Sequence, residues 1–199
     1  MNKITIFFIV IIFIQSDVTS QISYRVDLGL QVGLENIIAG ANFKEQDVLA
    51  AAHLPTIGFI LAPGMQIKKW QFSPEIGVGY ITKHLHYSNE EVVISYQPNM
   101  QWFLGAKLGY EFKSGHSIFV YANEVSRNFD VKLQDQWGPF TQEDNQGMLR
   151  FGVGYQLNLL KSAFINCKMG TGRADFADRT ISNNPNFKLE AAVTLGYSF

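Results

Sequence analysis

The last thirteen residues alternate in character without a break: Phe187, Leu189, Ala191, Val193, Leu195, Tyr197 and Phe199 hold one parity, and Lys188, Glu190, Ala192, Thr194, Gly196 and Ser198 the other. A strand sends successive side chains to opposite faces, so this segment has one apolar face and one small or polar face. The pattern recurs along the chain. Tyr24 to Leu34 alternates against Ser23, Arg25, Asp27, Gly29, Gln31 and Gly33, and Leu149 to Leu159 against Arg150, Gly152, Gly154, Gln156 and Asn158. Trp102, Leu104, Ala106, Leu108, Tyr110 and Phe112 oppose Gln101, Phe103, Gly105, Lys107, Gly109 and Glu111, while Phe72, Ile76, Val78 and Tyr80 oppose Ser73, Glu75, Gly77 and Gly79. Three weaker stretches, Ile57 to Ile67, Ile118 to Lys132 and Ala163 to Thr180, bring the expected total to about eight strands. In the second of these, Asn123 and Arg127 are expected on the apolar face, at a bulge or near a membrane edge.

Alternation of this length asks what the apolar face meets. A soluble barrel also alternates, but with its apolar face inward. Here the opposite face combines glycine with Arg, Asp, Lys and Glu, which suits a narrow, crowded interior, and many segments exceed the roughly ten residues of a tilted strand crossing hydrocarbon. Past Ile14 no apolar run approaches the roughly 20 residues of a spanning helix. A membrane chain without such helices must close its strands into a barrel, because lipid offers the backbone no hydrogen-bond partners. The fold expected is all-β: an eight-stranded antiparallel transmembrane β-barrel in up-and-down order.

The N-terminus reads as an export signal. Lys3 precedes an apolar core from Ile4 to Ile14, and Val18-Thr19-Ser20 sets a cut before Gln21. Residues 1–20 are the expected signal peptide and 21–199 the barrel domain. No cysteine follows the cut, which argues against a lipid-modified terminus, and the single Cys167 cannot form an internal disulfide. The net charge of -1 offers no basic cluster for a nucleic-acid partner.

Short and long connections alternate. Lys68-Lys69, Lys113-Ser114-Gly115-His116 and Leu160-Lys161-Ser162 read as tight turns, whereas Glu35 to His53, Tyr87 to Glu91, Asp135 to Asn145 and Ser182 to Pro185 read as the other connections. Within the first of these, Lys44 to His53 is expected to form a short helix around Ala50-Ala51-Ala52. Barrels of this kind keep short turns in the periplasm, so both termini are expected there.

The ending Leu195, Tyr197, Phe199 resembles the C-terminal assembly signal of outer-membrane barrels, and with the export signal the chain resembles the small outer-membrane β-barrel superfamily that includes OmpA-type, OmpX-type and PorT-like domains. The resemblance covers about Gln21 to Phe199 in pattern. It implies bacterial outer-membrane insertion, contact with the barrel-assembly machinery and outer-membrane lipid, and a surface or structural role, with no single activity.

Few residues suggest chemistry of their own. His84 and His86 share a strand face and His53 could join them at one rim, yet their parity is that of Val78 and Tyr80, so headgroup level is the better reading than a metal site. His86, Ser88 and Glu90 share parity as a hydrolytic set would, but nothing orders them as nucleophile, base and orienting acid. His116-Ser117 reads as a turn. No catalytic, metal or cofactor site is expected. The inward charges carry more: Arg25, Lys83, Lys107, Arg150, Lys168 and Lys188 face Asp27, Glu75, Glu111, Glu124, Asp130 and Glu190 by parity. Buried ions need partners, so this set is expected to pair into a lumen network rather than an ion pathway. Trp70, Trp102, Trp137, Tyr80, Tyr110, Tyr155, Tyr197 and Phe199 fit an interfacial girdle. The expected function is non-enzymatic, structural or surface-interacting, with a protein or polysaccharide partner; a narrow solute channel and a lipid-modifying enzyme are the alternatives.

Overall fold

The computed structural model describes residues 22–43, 46–83, 85–88, 93–96, 100–113, 115–135, 138–160, 162–176 and 189–199. Ten strands fill these residues: β1 (Ile22–Phe43), β2 (Gln46–Ile67), β3 (Trp70–Ile81), β4 (Leu85–Ser88), β5 (Val93–Tyr96), β6 (Met100–Lys113), β7 (His116–Asp135), β8 (Gly138–Asn158), β9 (Ala163–Phe176) and β10 (Glu190–Ser198). Eight of them close a ring, in the order β1-β2-β3-β6-β7-β8-β9-β10 and back to β1, every pair antiparallel. This is the expected eight-stranded meander barrel. The β4–β5 hairpin rides above the ring on the far half of β7, pairing Val93 with Gln134 and Tyr96 with Val131. The expected export signal lies outside the described residues.

The wall has reversed polarity. Val32, Phe59, Trp102, Leu104, Val153 and Leu195 point outward and are exposed, whereas Gln31, Glu75, Gln101, Lys107, Arg150 and Thr194 point inward and are buried. In water such an exposed apolar band would far exceed the few hundred Å² that soluble monomers tolerate. Surrounded by hydrocarbon it is the favoured arrangement, since closure satisfies the ladder and leaves no edge.

Glycine on the inner face has a specific purpose. Phe103 lies directly across the ladder from Gly77, Phe119 from Gly154, and Phe164 from Gly196. Tyr121 lies across from Gly152, which in turn pairs with Gly170. A Cβ built on Gly77, Gly154 or Gly196 would collide with the facing phenylalanine ring, and one on Gly170 with the Tyr121 hydroxyl. Each inward ring therefore lies over a bare stretch of backbone, and bulky and absent side chains alternate to fill a narrow tube.

At one end the strands join by short connections. Lys68 takes a positive φ of 57° in the β2–β3 turn and Gly115 one of 83° in the β6–β7 turn. The chain end closes at the same level, where Phe199 and Val26 exchange backbone hydrogen bonds of 3.0 and 3.2 Å. At the other end, β1 and β2 pair continuously from Ile22↔Ile67 to Phe43↔Gln46, and β7 and β8 from His116↔Leu157 to Asp135↔Gly138. Both hairpins outrun their neighbours in the ring, because β10 pairs with β1 only as far as Leu34 and β9 with β8 only as far as Gln146.

Several expectations need correction. Glu35 to His53 is a strand hairpin rather than a long loop, and Gln46 onward is extended rather than helical. Cross-strand pairing such as Ile38↔Ala51 overrides the helical leaning of the alanine run. Asp135 to Asn145 is likewise mostly strand, since β8 begins at Gly138. Glu124 does not face the lumen: it is exposed on the outer wall between Leu104 and Leu149. Asn123 and Arg127, expected outward, are buried inside. The cause is that β7 carries apolar residues on both faces, with Phe119, Tyr121 and Val125 inward and Ile118, Val120 and Ala122 outward, so parity alone picks the wrong side. Lys83 is exposed beyond the end of β3. Lys188, His84 and Ser182 to Pro185 lie outside the described residues, as do the side chains of His86, Ser88 and Asp130.

Candidate functional site

The lumen holds the densest polar chemistry among the described residues, and it divides into two levels. The upper level, nearer the protruding hairpins, is built on Glu35 of β1, Arg127 of β7, Arg150 of β8 and Glu190 of β10. Arg127 Nη2 approaches Glu35 Oε2 to 2.5 Å, and Arg150 Nη1 lies 3.2 Å from Glu35 Oε1 and 3.5 Å from Glu190 Oε2. Neutral groups complete the shell. Gln101 Nε2 donates to both Glu35 oxygens at 2.9 Å while its Oε1 accepts from Arg127 Nε at 2.6 Å. Thr56 Oγ1 donates to Glu35 Oε1 at 3.3 Å, Arg150 Nε donates to Asn123 Oδ1 at 3.0 Å, and the Asn36 backbone N–H donates to Glu190 Oε1 at 2.8 Å. Two carboxylates and two guanidinium groups balance, and Glu35 alone accepts from four side chains.

The lower level is built on Asp27 of β1, Glu75 of β3, Lys107 of β6 and Lys168 of β9. Lys168 Nζ lies 2.7 Å from Glu75 Oε2, and Lys107 Nζ lies 3.3 Å from Asp27 Oδ2 and 3.9 Å from Glu75 Oε1. The charges again balance two against two. Asp27 also accepts from Ser198 Oγ at 2.7 Å and pairs with Arg25 at 2.6 Å towards the rim. Rings flank the ammonium groups: Lys107 Nζ lies 5.7 Å from the Phe119 centroid and Lys168 Nζ 5.2 Å from that of Tyr121. Such contacts add attraction for a desolvated cation.

Strand order gives these pairs a mechanical meaning. β1 and β7 are four places apart in a ring of eight, as are β3 and β9, so Glu35–Arg127 and Glu75–Lys168 each join opposite walls. The two struts lie a quarter of the ring apart. Between the levels lies a void of about 20 Å³ lined by Glu35, Tyr121, Arg150 and Lys168, and beside Lys107 another of about 10 Å³. Neither has room for a hydrated solute.

Of the charges singled out in sequence, Asp27, Glu75, Lys107, Arg150, Lys168 and Glu190 lie in these two levels, and Arg25 joins Asp27 from the rim. Glu111 stands apart at the short-turn rim, accepting from Gln66 Nε2 at 2.7 Å and from the Gly115 backbone N–H at 3.1 Å. Sequence reasoning missed Glu35, put Arg127 on the wrong face, and placed Gln101 on the inner face without giving it a part in the network. Glu35 falls at the start of an expected loop, although it continues the parity of Asp27 and Gln31, and that signal could have found it. The histidines do not assemble. His53 Nε2 pairs with the Leu189 carbonyl at 2.9 Å on the hairpin side, whereas His116 Nδ1 pairs with the Tyr155 hydroxyl at the opposite end. Leu195, Tyr197 and Phe199 all face outward, with the Tyr197 and Phe199 rings edge to face at 4.8 Å.

No protein-family profile and no curated protein matches the sequence. Solved structures similar in shape include Ail, the attachment invasion locus protein of Yersinia pestis, at 12% identity and a TM-score of 0.49, covering 88% of this chain and 97% of that one. Neisserial surface protein A aligns at 9% identity and a TM-score of 0.44, covering 90% and 98%. The N-terminal β-barrel domain of Pseudomonas aeruginosa OprF aligns at 10% identity and a TM-score of 0.44, covering 90% and 100%.

Proposed function

We propose that this chain is an integral outer-membrane barrel with a sealed lumen, acting as a structural or surface-interaction protein rather than as a catalyst or a conduit. The observation that carries this reading is the pair of ionic struts joining opposite walls, with rings and buried amides filling the space around them. The charge network thus serves closure, and the protruding β1–β2 and β7–β8 hairpins are the parts free to meet a partner. On this reading the short-turn end and both termini of the mature chain face the periplasm, and Leu195, Tyr197 and Phe199 form the strand ending that the insertion machinery receives.

The test combines two measurements on the full mature chain. Folded barrels resist SDS, so the unboiled protein is expected to migrate differently from the boiled one and to fractionate with outer membranes. In planar bilayers it is expected to conduct no steady current. Steady conductance that vanishes in Lys107→Met would replace the sealed-lumen reading with a narrow channel. Altered lipid composition in expressing cells, lost in His86→Ala, would replace it with a lipid-modifying enzyme.

A further inference from the structure

One part of the outer wall is neither smooth nor uniform. Trp70, Tyr110, Ile118, Tyr155 and Cys167 form a single row of directly paired residues across β3, β6, β7, β8 and β9. Ile118, an aliphatic residue among rings, stands between the Trp70–Tyr110 edge-to-face pair and Tyr155, so the aromatic walls bound a groove of about 570 Å³ that continues over Val120 and Val153. The groove runs down the apolar wall from the short-turn end.

Directly above it the surface changes character. Trp70 is preceded by the Lys68-Lys69 turn, where both lysines are exposed and the Lys69 carbonyl accepts the Glu111 N–H at 2.7 Å. His116, bonded to Tyr155, borders the other wall. Each short turn, Lys68-Lys69, Lys113 to His116 and Leu160 to Ser162, contains a lysine and no carboxylate. The neighbouring Glu111 is already engaged by Gln66 and the Gly115 N–H. By contrast, the sequence between β1 and β2, between β4 and β5 and between β9 and β10 mixes signs, with Glu45, Glu90, Glu91 and Asp178 against Lys44, Arg179 and Lys188. The end that adjoins the groove is therefore the one whose connections are purely basic.

An apolar slot bounded by aromatic rings beneath exposed ammonium groups matches a molecule with an acyl chain below and an anionic group above. We infer that this face holds an anionic phospholipid, with one acyl chain over Ile118 and Val120 and the phosphate at the Lys68-Lys69 turn. The inference rests on the membrane reading proposed above and adds to it a lipid class, a position and a set of residues. A lysine near an anionic headgroup contributes a favourable term of its own, and an apolar groove seats a chain without charge preference, so the two parts are separable.

The experiment uses the mature chain in detergent micelles, offered phosphatidylglycerol and phosphatidylcholine of identical chains, with retained lipid read by native mass spectrometry. Phosphatidylglycerol is expected to be retained preferentially. Lys68→Gln/Lys69→Gln should remove that preference by about fivefold for each charge deleted. Ile118→Trp, which fills the slot, should lower retention of both lipids. Lys69→Gln alone serves if the double variant does not fold, as judged by heat-modifiable migration. Equal retention of the two lipids, or a preference that survives loss of the lysines, overturns the site. A wild-type dimer that Ile118→Trp converts to monomer also overturns it, by giving the groove to a second copy. Failure of the wild type to insert into vesicles would instead sink the membrane reading beneath it.

Discussion

The two levels of the lumen solve one problem with different chemistry. Each contains two carboxylates and two cations, and each sends one ion pair across the full diameter of the ring. In the arginine level every guanidinium spreads over several acceptors, and Gln101, Thr56, Asn123 and the Asn36 N–H occupy the remaining positions. In the lysine level the cations are point charges at 2.7 to 3.9 Å, helped by the faces of Phe119 and Tyr121. A planar fork with five donors can knit neighbouring strands together, whereas an ammonium group is a compact point charge with three donors, as where Lys107 reaches Asp27, Glu75 and Gln156 at 3.3 to 3.9 Å, and it relies more on its surroundings. A neutral total is thus not the whole requirement of a sealed interior; how far each charge is shared decides what its loss costs.

The largest effect is expected at the shared node. Glu35→Gln leaves Arg127 and Arg150 buried without their common carboxylate, which should lower stability by about 3–5 kcal/mol, read from urea unfolding of the barrel in lipid vesicles. Glu75→Gln strands Lys168 in the other level and should cost less, about 2–3 kcal/mol on the same scale, because an ammonium group can release its proton where a guanidinium cannot. Equal losses in the two variants would erase the distinction between the levels. The rings between them come next. In a double-mutant cycle, Gly77→Val and Phe103→Leu should couple by about 1–2 kcal/mol, since the new side chain collides with the ring only while the ring is there. Glu124→Leu should show the smallest change, a slight rise in unfolding midpoint, because that carboxylate stands on the apolar wall and belongs to neither level.

Much of this architecture is legible in the sequence wherever one face of a strand is clearly unlike the other. β10, β1 and β8 have clean alternation, and their inward Glu190, Asp27 and Arg150 could be placed without coordinates. β7 resists such reading because Phe119 and Tyr121 face inward for a reason that lies in other strands, namely the glycines directly across the ladder. Recognising that arrangement needs the register, and the register is fixed by the whole ring. The same gap hides Arg127 and turns Glu124 to the wrong side. The protruding hairpins escape for a different reason: beyond Glu35 the clean alternation lapses at Ile37-Ile38 and Ala50-Ala51-Ala52, so only the pairing between β1 and β2 holds those residues extended.

Seven of the ring's eight joints link strands that follow one another around the sheet in chain order, and the eighth brings β10 back to β1 through eight residue pairs, from Asp27↔Ser198 to Leu34↔Ala191. That last joint is a clasp. It asks the chain to bring its two distant ends together, the slowest kind of contact to establish, while every hairpin beside it can zip locally. Assembly of this protein is therefore expected to finish there, and until the clasp shuts β1 and β10 each offer a bare row of amides and carbonyls to whatever stands beside them in the membrane.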